Sequence, residues 1–380
     1  MPWKEVTPMS QREEFVQLAL QPKANIAQLC RRFQISRKTG YKFLNRYKRS
    51  EGLQDRSRCP HHSPQITPEA MEEQVIAMRL NYGAWGGRKL RSHLQSLGES
   101  AAPSASTFTH ILRRNAQIVQ VLEAPPGPYE RFEREHPNDL WQMDFKGPFP
   151  TGEGVCHSLT ILDDHSRFDL QLKACARPTT GVVQTALTEA FERYGLPLEM
   201  LMDNGMPWGG SRANPYTTLS VWLIRLGILV SHGRPYHPQT QGKLERFHRT
   251  LKAEVLQNRF FQSLSQCQSE FDPWRECYNH QRPHEALGMA PPVSRYRVSQ
   301  RQYPSTLPPI EYGPDDYVRK VQQDGTISFR GHEWFVGHAF YKHPVAVRPQ
   351  LPDGVFDVFF CHQKVVHLDL NHLRSETAKV

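Results

Sequence analysis

Three carboxylates are the strongest candidates for chemistry in this sequence. Glu245 lies in HPQTQGKLERFHRTLKAE, on a charged helix that follows a turn marked by Pro and Gly. Asp144 interrupts the apolar, strand-like run LWQMDFKG, and Asp203 closes a second such run, LEMLMDNG. An acid in a strand interior is costly unless it is paired or bound to a metal. Any one of the three alone reads as a surface or capping residue, because most Asp and Glu are exposed. All three together, each at an element that can present it, point to phosphoryl transfer assisted by divalent metal. In that chemistry carboxylate oxygens hold two ions, which activate an attacking hydroxyl and stabilise the leaving oxygen. Ligation by oxygen alone favours Mg2+ or Mn2+ over Zn2+.

The surrounding motifs narrow the class. DNG follows at Asp203, Pro238 and Gly242 precede Glu245-Arg246, ILDDHSR spans Ile161 to Arg167, and WRECYNHQRPHEAL spans Trp274 to Leu287 before Pro291-Pro292. Together they resemble the catalytic core of DDE-type transposases of bacterial insertion sequences, which share that core with retroviral integrases. The resemblance covers residues 137–297. It implies a ribonuclease H-like α/β core with Asp144, Asp203 and Glu245 as catalytic and metal-holding residues. It also implies two Mg2+ (or Mn2+) per site, cleavage of transposon ends, transfer to target double-stranded DNA, and a homo-oligomer on DNA. One departure is the interval of 41 residues between Asp203 and Glu245, longer than the family's familiar spacing. The surplus falls in GMPWGGSRANPYTT and reads as a longer active-site loop. There Trp208 is expected either to stack on an opened base or to anchor the loop in the core. His237 has no assigned role.

The elements that must position the acids are legible in the hydrophobic pattern. Strands are expected over 140–146, 158–163 and 168–173, then a helix over 179–194, a strand over 198–202, a helix over 217–226 and a strand over 228–231. Three strands followed by alternating helix and strand match the ribonuclease H-like order. On the Glu245 helix, Leu244, Phe247, Leu251 and Val255 form the buried stripe, leaving Glu245 at its rim. Arg249 and Lys252 lie on Glu245's side of this helix. With Lys243 and Arg246 they are candidate DNA contacts.

The N-terminal part reads as a DNA reader. Residues 1–60 hold 13 Lys and Arg against 5 acids, an excess of 8 in a chain of net charge +9. Such a basic module is the electrostatic footprint of nucleic-acid binding. Ser10, Asn25 and Ser36 are expected to cap three helices, with Gln34-Ile35 as the turn and Tyr41, Leu44 and Tyr47 on the buried stripe of the third. In a helix-turn-helix that third helix enters the major groove, so Arg37, Lys38, Lys42, Asn45 and Arg46 are candidate contacts. A second three-helix pattern follows over 68–82, 87–97 and from Ser104 or Ser106 to Arg114. Leu90, Leu94 and Leu97 are its expected second-helix stripe, and Lys89, Arg91, Arg113 and Arg114 its candidate contacts.

The expected division is therefore helix-turn-helix 1–58, a second helix-turn-helix 67–115, a proline-rich linker 116–136, the integrase-like core 137–297, and a small C-terminal β-barrel 313–380. The fold class is multidomain: all-α N-terminal modules, a central α/β core and a β-rich end. Seven scattered cysteines give neither a disulfide framework nor a zinc pair. Cys59-Pro60-His61-His62 lacks a second pair at finger spacing. No apolar run approaches the ~20 residues that span a bilayer, so no membrane partner is expected and the protein should be cytoplasmic, on the nucleoid when DNA-bound. A nuclease without strand transfer would need no sequence reader, and a silent regulator would not need all three acids.

Overall fold

The computed structural model describes residues 7–57, 67–118, 133–210, 214–233 and 242–378. It divides into two compact units, Met1–Ile66 and Thr67–Val380. The Cys59-to-His62 segment, His237 and most of the 116–136 linker lie outside the described residues.

The first unit is three helices, α1 (Pro8–Ala19), α2 (Ile26–Arg32) and α3 (Arg37–Lys48). Asn25 and Ser36 cap α2 and α3 as expected. Ser10 does not cap α1. Thr7 does, and Ser10 closes the reciprocal capping box at the third helical position, because Pro8 is suited to the first turn. The α2–α3 turn passes through Gln34 at φ 52°. The expected stripe of α3 is rotated: Gly40, Phe43 and Leu44 are buried, while Tyr41 and Tyr47 are about half exposed. Gly40 sets this rotation, since a Cβ there would stand 2.6 Å from Cys30 Sγ and 2.9 Å from the Phe15 ring.

The second unit opens with α4 (Glu69–Asn81), α5 (Gly87–Ser96) and α6 (Ala105–Arg114), capped by Ser104. Val75, Trp85, Leu90, Leu94, Phe108, Ile111 and Leu112 form their core. Leu97 is exposed, because α5 stops at Ser96 and carries it off the stripe. His93 is buried instead, in edge-on contact with Tyr82 and Trp85.

A mixed five-stranded sheet follows: β1 (Leu140–Thr151), β2 (Gly154–Asp163), β3 (Asp169–Cys175), β4 (Glu199–Met202) and β5 (Leu229–His232), in the order β3-β2-β1-β4-β5. β1, β2 and β3 are antiparallel neighbours, whereas β4 runs parallel to β1 and β5 to β4. Strand alternation sorts the faces. Trp141, Met143, Leu159 and Ile161 pack with α7 (Thr180–Tyr194) and α8 (Thr218–Arg225). Leu162 and Leu172 pack on the other face with α9 (Gly242–Leu251) and α10 (Leu264–His280). Asp144 falls out of phase with Met143, and so on the α9 side.

The C-terminal part is an antiparallel sheet in the order β12-β11-β10-β9-β6, with a separate ribbon, β7 (Thr326–Phe329) and β8 (His332–Phe335). Its strands are β6 (Tyr317–Lys320), β9 (Pro344–Gln350), β10 (Val355–Phe360), β11 (Gln363–Asp369) and the unexpected polar β12 (Arg374–Thr377). The pairings do not close a ring among the described residues. This sheet shares a continuous apolar core with the mixed sheet. Gln363 locks the two together: its side-chain amide accepts from Val230 N–H and donates to Val230 C=O, both at 2.9 Å. No helix among the described residues is long and apolar enough to cross a membrane.

Candidate active site and nucleic-acid interface

The strand register explains how two distant aspartates meet. Gln142 on β1 is level with Leu201 on β4, so two residues further along, Asp144 is level with Asp203 just beyond the end of β4. The Phe145 N–H donates to Asp144 Oδ1 at 2.8 Å, and the Asn204 N–H to Asp203 Oδ1 at 2.7 Å. Two further bonds tie the Asp203 turn to β5. His232 Nδ1 lies 2.9 Å from the Asp203 carbonyl, and Asn204 Nδ2 donates to the Gly233 carbonyl at 2.6 Å.

Glu245 is exposed on α9, whose Leu244, Phe247 and Leu251 are buried as the pattern required. Burial raises the Asp144 carboxyl from 3.8 to about 7; the Phe145 N–H pulls it down, and the negative charges of Asp203 and Glu245 push it up. The three acids thus meet electrostatically. They are not drawn to ligation distance, since among the described residues no three His, Cys, Asp or Glu side chains form a metal-sized cluster. The donor chemistry nonetheless fits a hard divalent cation: three carboxylates, one of them half-buried and acted on by the negative charges of the other two.

Trp208 is 3% exposed and stacks on Phe145 at 5.2 Å, directly behind Asp144. It is a core anchor of the extended loop, not a free platform for a base.

Several expected DNA contacts are engaged within the protein. Lys243 is anchored to buried Asp164, donating to its carbonyl at 3.1 Å and pairing with its carboxylate. Arg46 folds back to donate to the Gln54 carbonyl at 2.8 Å, leaving its side chain 11% exposed. Arg91 donates to the Pro103 carbonyl at 2.8 Å, and Arg114 pairs with Glu72. Each of these cations is held by a carbonyl or carboxylate of the protein itself. Arg37, Lys38, Lys42, Asn45, Arg113, Arg246, Arg249 and Lys252 are exposed, and Lys89 is half buried.

The remaining motifs turn out to be structural. Asp163 accepts from Asn138 and Ser166, and Asp164 accepts from Arg134 and Gln142. Arg275 donates to the Asp169 and Leu170 carbonyls, and Asn279 pairs with the Asp169 backbone. His232 near Asp203 was not anticipated, nor was the bond of the DNG asparagine Asn204 to the Gly233 carbonyl. Both depend on the approach of β5, which no local pattern reveals.

Comparison with known proteins agrees with this architecture. Residues 134–238 and 226–292 match integrase core domains, 11–61 a helix-turn-helix domain, and 39–112 a homeodomain-like domain. Residues 316–376 match the IS481 family transposase C-terminal domain. The insertion element IS476 uncharacterized 39.2 kDa protein of Xanthomonas euvesicatoria is 30% identical over 253 residues, 63% of this chain and 69% of its own. The chain belongs to the IS481-family transposases. A putative transposase for insertion sequence element IS5376 of Geobacillus stearothermophilus shares 21% identity over 91% of this transposase and 84% of its own length. The HTLV-2 integrase catalytic core domain, solved with magnesium in a trimeric form, aligns with 43% of this chain and 99% of its own at 16% identity and a TM-score of 0.34.

Proposed function

We propose that this transposase cuts the 3′ ends of its insertion sequence and joins them to target DNA, using Asp144, Asp203 and Glu245. The observation that carries the reading is the β1–β4 register, which sets half-buried Asp144 level with Asp203, with the charges of Asp203 and Glu245 both acting on it. Asp144 and Asp203 would hold two Mg2+ or Mn2+ ions between them, and Glu245 would ligate one. Bound there, the metal would lower the pKa of the attacking oxygen and offset charge building on phosphorus. The chain's own groups do the rest. The Phe145 and Asn204 N–H groups orient the two aspartates, and His232 holds the Asp203 backbone. Arg249 on α9 and Lys252, which opens the π-helical turn continuing it, neutralise phosphates. Water first breaks the P–O3′ bond at the end. The freed 3′-hydroxyl then attacks a target phosphorus and releases a target 3′-hydroxyl, with no covalent protein intermediate.

Metal holding has a readout apart from catalysis. Because folding raises the Asp144 pKa, the folded state binds its proton more tightly, and stability is lost as pH rises from about 4 to about 7. Above that window the ionised acid is a standing cost without a cation. Asp144→Asn is therefore expected to melt several degrees higher than the metal-free wild type at pH 8, with no such gain below pH 4. Mg2+ or Mn2+ should stabilise the wild type and leave the variant unmoved. Equal metal-induced shifts in both proteins would remove Asp144 from the site.

The proposed division of labour follows the expected boundaries: readers at 1–58 and 67–115, the 116–136 linker, the catalytic core at 137–297, and a small barrel at 313–380 for DNA or subunit contacts. Two ends must be joined together, so the active assembly holds at least two subunits. Arg37 and Lys38 open α3 and are exposed. Arg37→Ala or Lys38→Ala should weaken end binding roughly tenfold if the residue reads a base edge, and less if it touches phosphate only. A filter-binding titration over a salt series decides this, and wild-type affinity in both variants would move recognition off α3.

A further inference from the structure

The second helix-turn-helix is not a free arm. Tyr82 OH donates to Gln281 Oε1 at 3.3 Å, Arg88 pairs with Glu285 at 3.6 Å, and Ser92 Oγ donates to the Met289 carbonyl at 3.3 Å. These contacts seat the start of α5 on the segment that follows α10. Lys89 stands between Arg88 and Ser92, half buried at this seam. In the same seam the Tyr278 ring stands 4.7 Å from that of His284 and 4.9 Å from that of Phe247, which brings α9 and its Arg246 to the seam; burial, with the charges of Arg282, Lys89, Arg167 and Arg246, holds the His284 imidazole far below the ordinary range.

Two of these cations are answered. Glu254 accepts from Arg282 at 2.9 Å, and Glu133 accepts from Arg167 at 2.7 Å. Lys89 and Arg246 have no carboxylate at ion-pair distance among the described residues. Burial and the charges of Arg282 and Arg246 depress the Lys89 amine to about 8, against the weaker pull of Glu254 and Glu285. A half-buried ammonium beside guanidinium groups is costly unless an anion joins it.

We propose that Lys89 and Arg246 of one subunit together seat a single backbone phosphate of the bound DNA. The proposal rests on the transposase reading and deepens it. Arg246 is the neighbour of Glu245, on a different flank of α9. One phosphate held there would tie the path of the DNA on the second reader to the catalytic helix of the same subunit. A compact ammonium and a planar guanidinium suit a phosphate oxygen pair, and such a contact positions DNA without reading its sequence.

The test uses the full chain with an end duplex and a random duplex. Lys89→Ala and Arg246→Ala should each weaken binding to both duplexes roughly tenfold, as for a charge-assisted bond. The double variant should be little worse than either single, and the salt slope should fall by about one in all three. Lys89→Arg should retain binding, and thermal melts of all variants should establish folding. A scan of single methylphosphonates should find one position that costs the wild type and not the double variant. Multiplying losses with a slope reduced by about two would mean two separate phosphates and overturn the proposal. So would wild-type affinity in both singles, or a scan with no such position. If the wild type itself fails to prefer its end duplex, the reading of the chain as an end-binding transposase fails instead.

Discussion

Asp144→Asn, Asp203→Asn and Glu245→Gln should each cut metal-dependent cleavage and joining by about a thousandfold or more while leaving end binding nearly unchanged. The size follows from the role: a metal ligand supports several kcal/mol of transition-state stabilisation, and each 1.36 kcal/mol is tenfold in rate. Binding should survive because the exposed cations of α3 and the second reader are remote in sequence from the acids. Each replacement keeps side-chain size, so a folded protein is expected in every case. A radiolabelled end-joining assay with all three variants reads the result, and near-wild-type joining by any one would remove that acid from the site.

Arg282→Ala should strongly destabilise the integrase core. Arg282 is 6% exposed and grips Glu254 with three bonds, Nε at 3.0 Å and Nη2 at 2.9 Å to Oε1, and Nε at 3.3 Å to Oε2. Trp274 Nε1 donates to the same carboxylate at 2.9 Å. Removing one partner of a buried pair leaves the other charge uncompensated, which costs about 3–5 kcal/mol. The paired change Arg282→Met with Glu254→Gln should recover much of that loss. Chemical denaturation of the three proteins checks it; an unchanged midpoint for Arg282→Ala would show that the pair contributes little.

The core elements and the acids were legible for the same reason: each is encoded locally. Strand alternation places Asp144, the end of an apolar run places Asp203, and a helical stripe places Glu245 at its rim. Side-chain capping was equally local, and Asn25, Ser36 and Ser104 were readable. Some misses were local, as where Thr7 and not Ser10 caps α1; most arose where a contact outside the element decided the outcome. Gly40 turned α3 because Phe15 and Cys30 pack against it, which no pattern within α3 reveals. Lys243, Arg46 and Arg91 read as free surface cations, yet each is claimed by a carbonyl or carboxylate elsewhere. The sequence leaves Trp208 between a stacking platform and a loop anchor, and its contact with Phe145, over 60 residues earlier, makes it the anchor. The short strand Arg374–Thr377 carries no apolar signal, and it exists because β11 offers it an edge.

The central claim is that this chain breaks and rejoins phosphodiester bonds and does not merely hydrolyse them. The direct measurement is an incubation of the purified chain with a labelled, pre-cleaved end duplex and supercoiled target plasmid, in Mg2+ or Mn2+. The account predicts label joined covalently to the plasmid through the end's 3′-oxygen, absent when the metal is chelated and absent with Asp203→Asn. Plasmid nicked or left intact by a correctly folded, end-binding wild type, with no label joined, would contradict it.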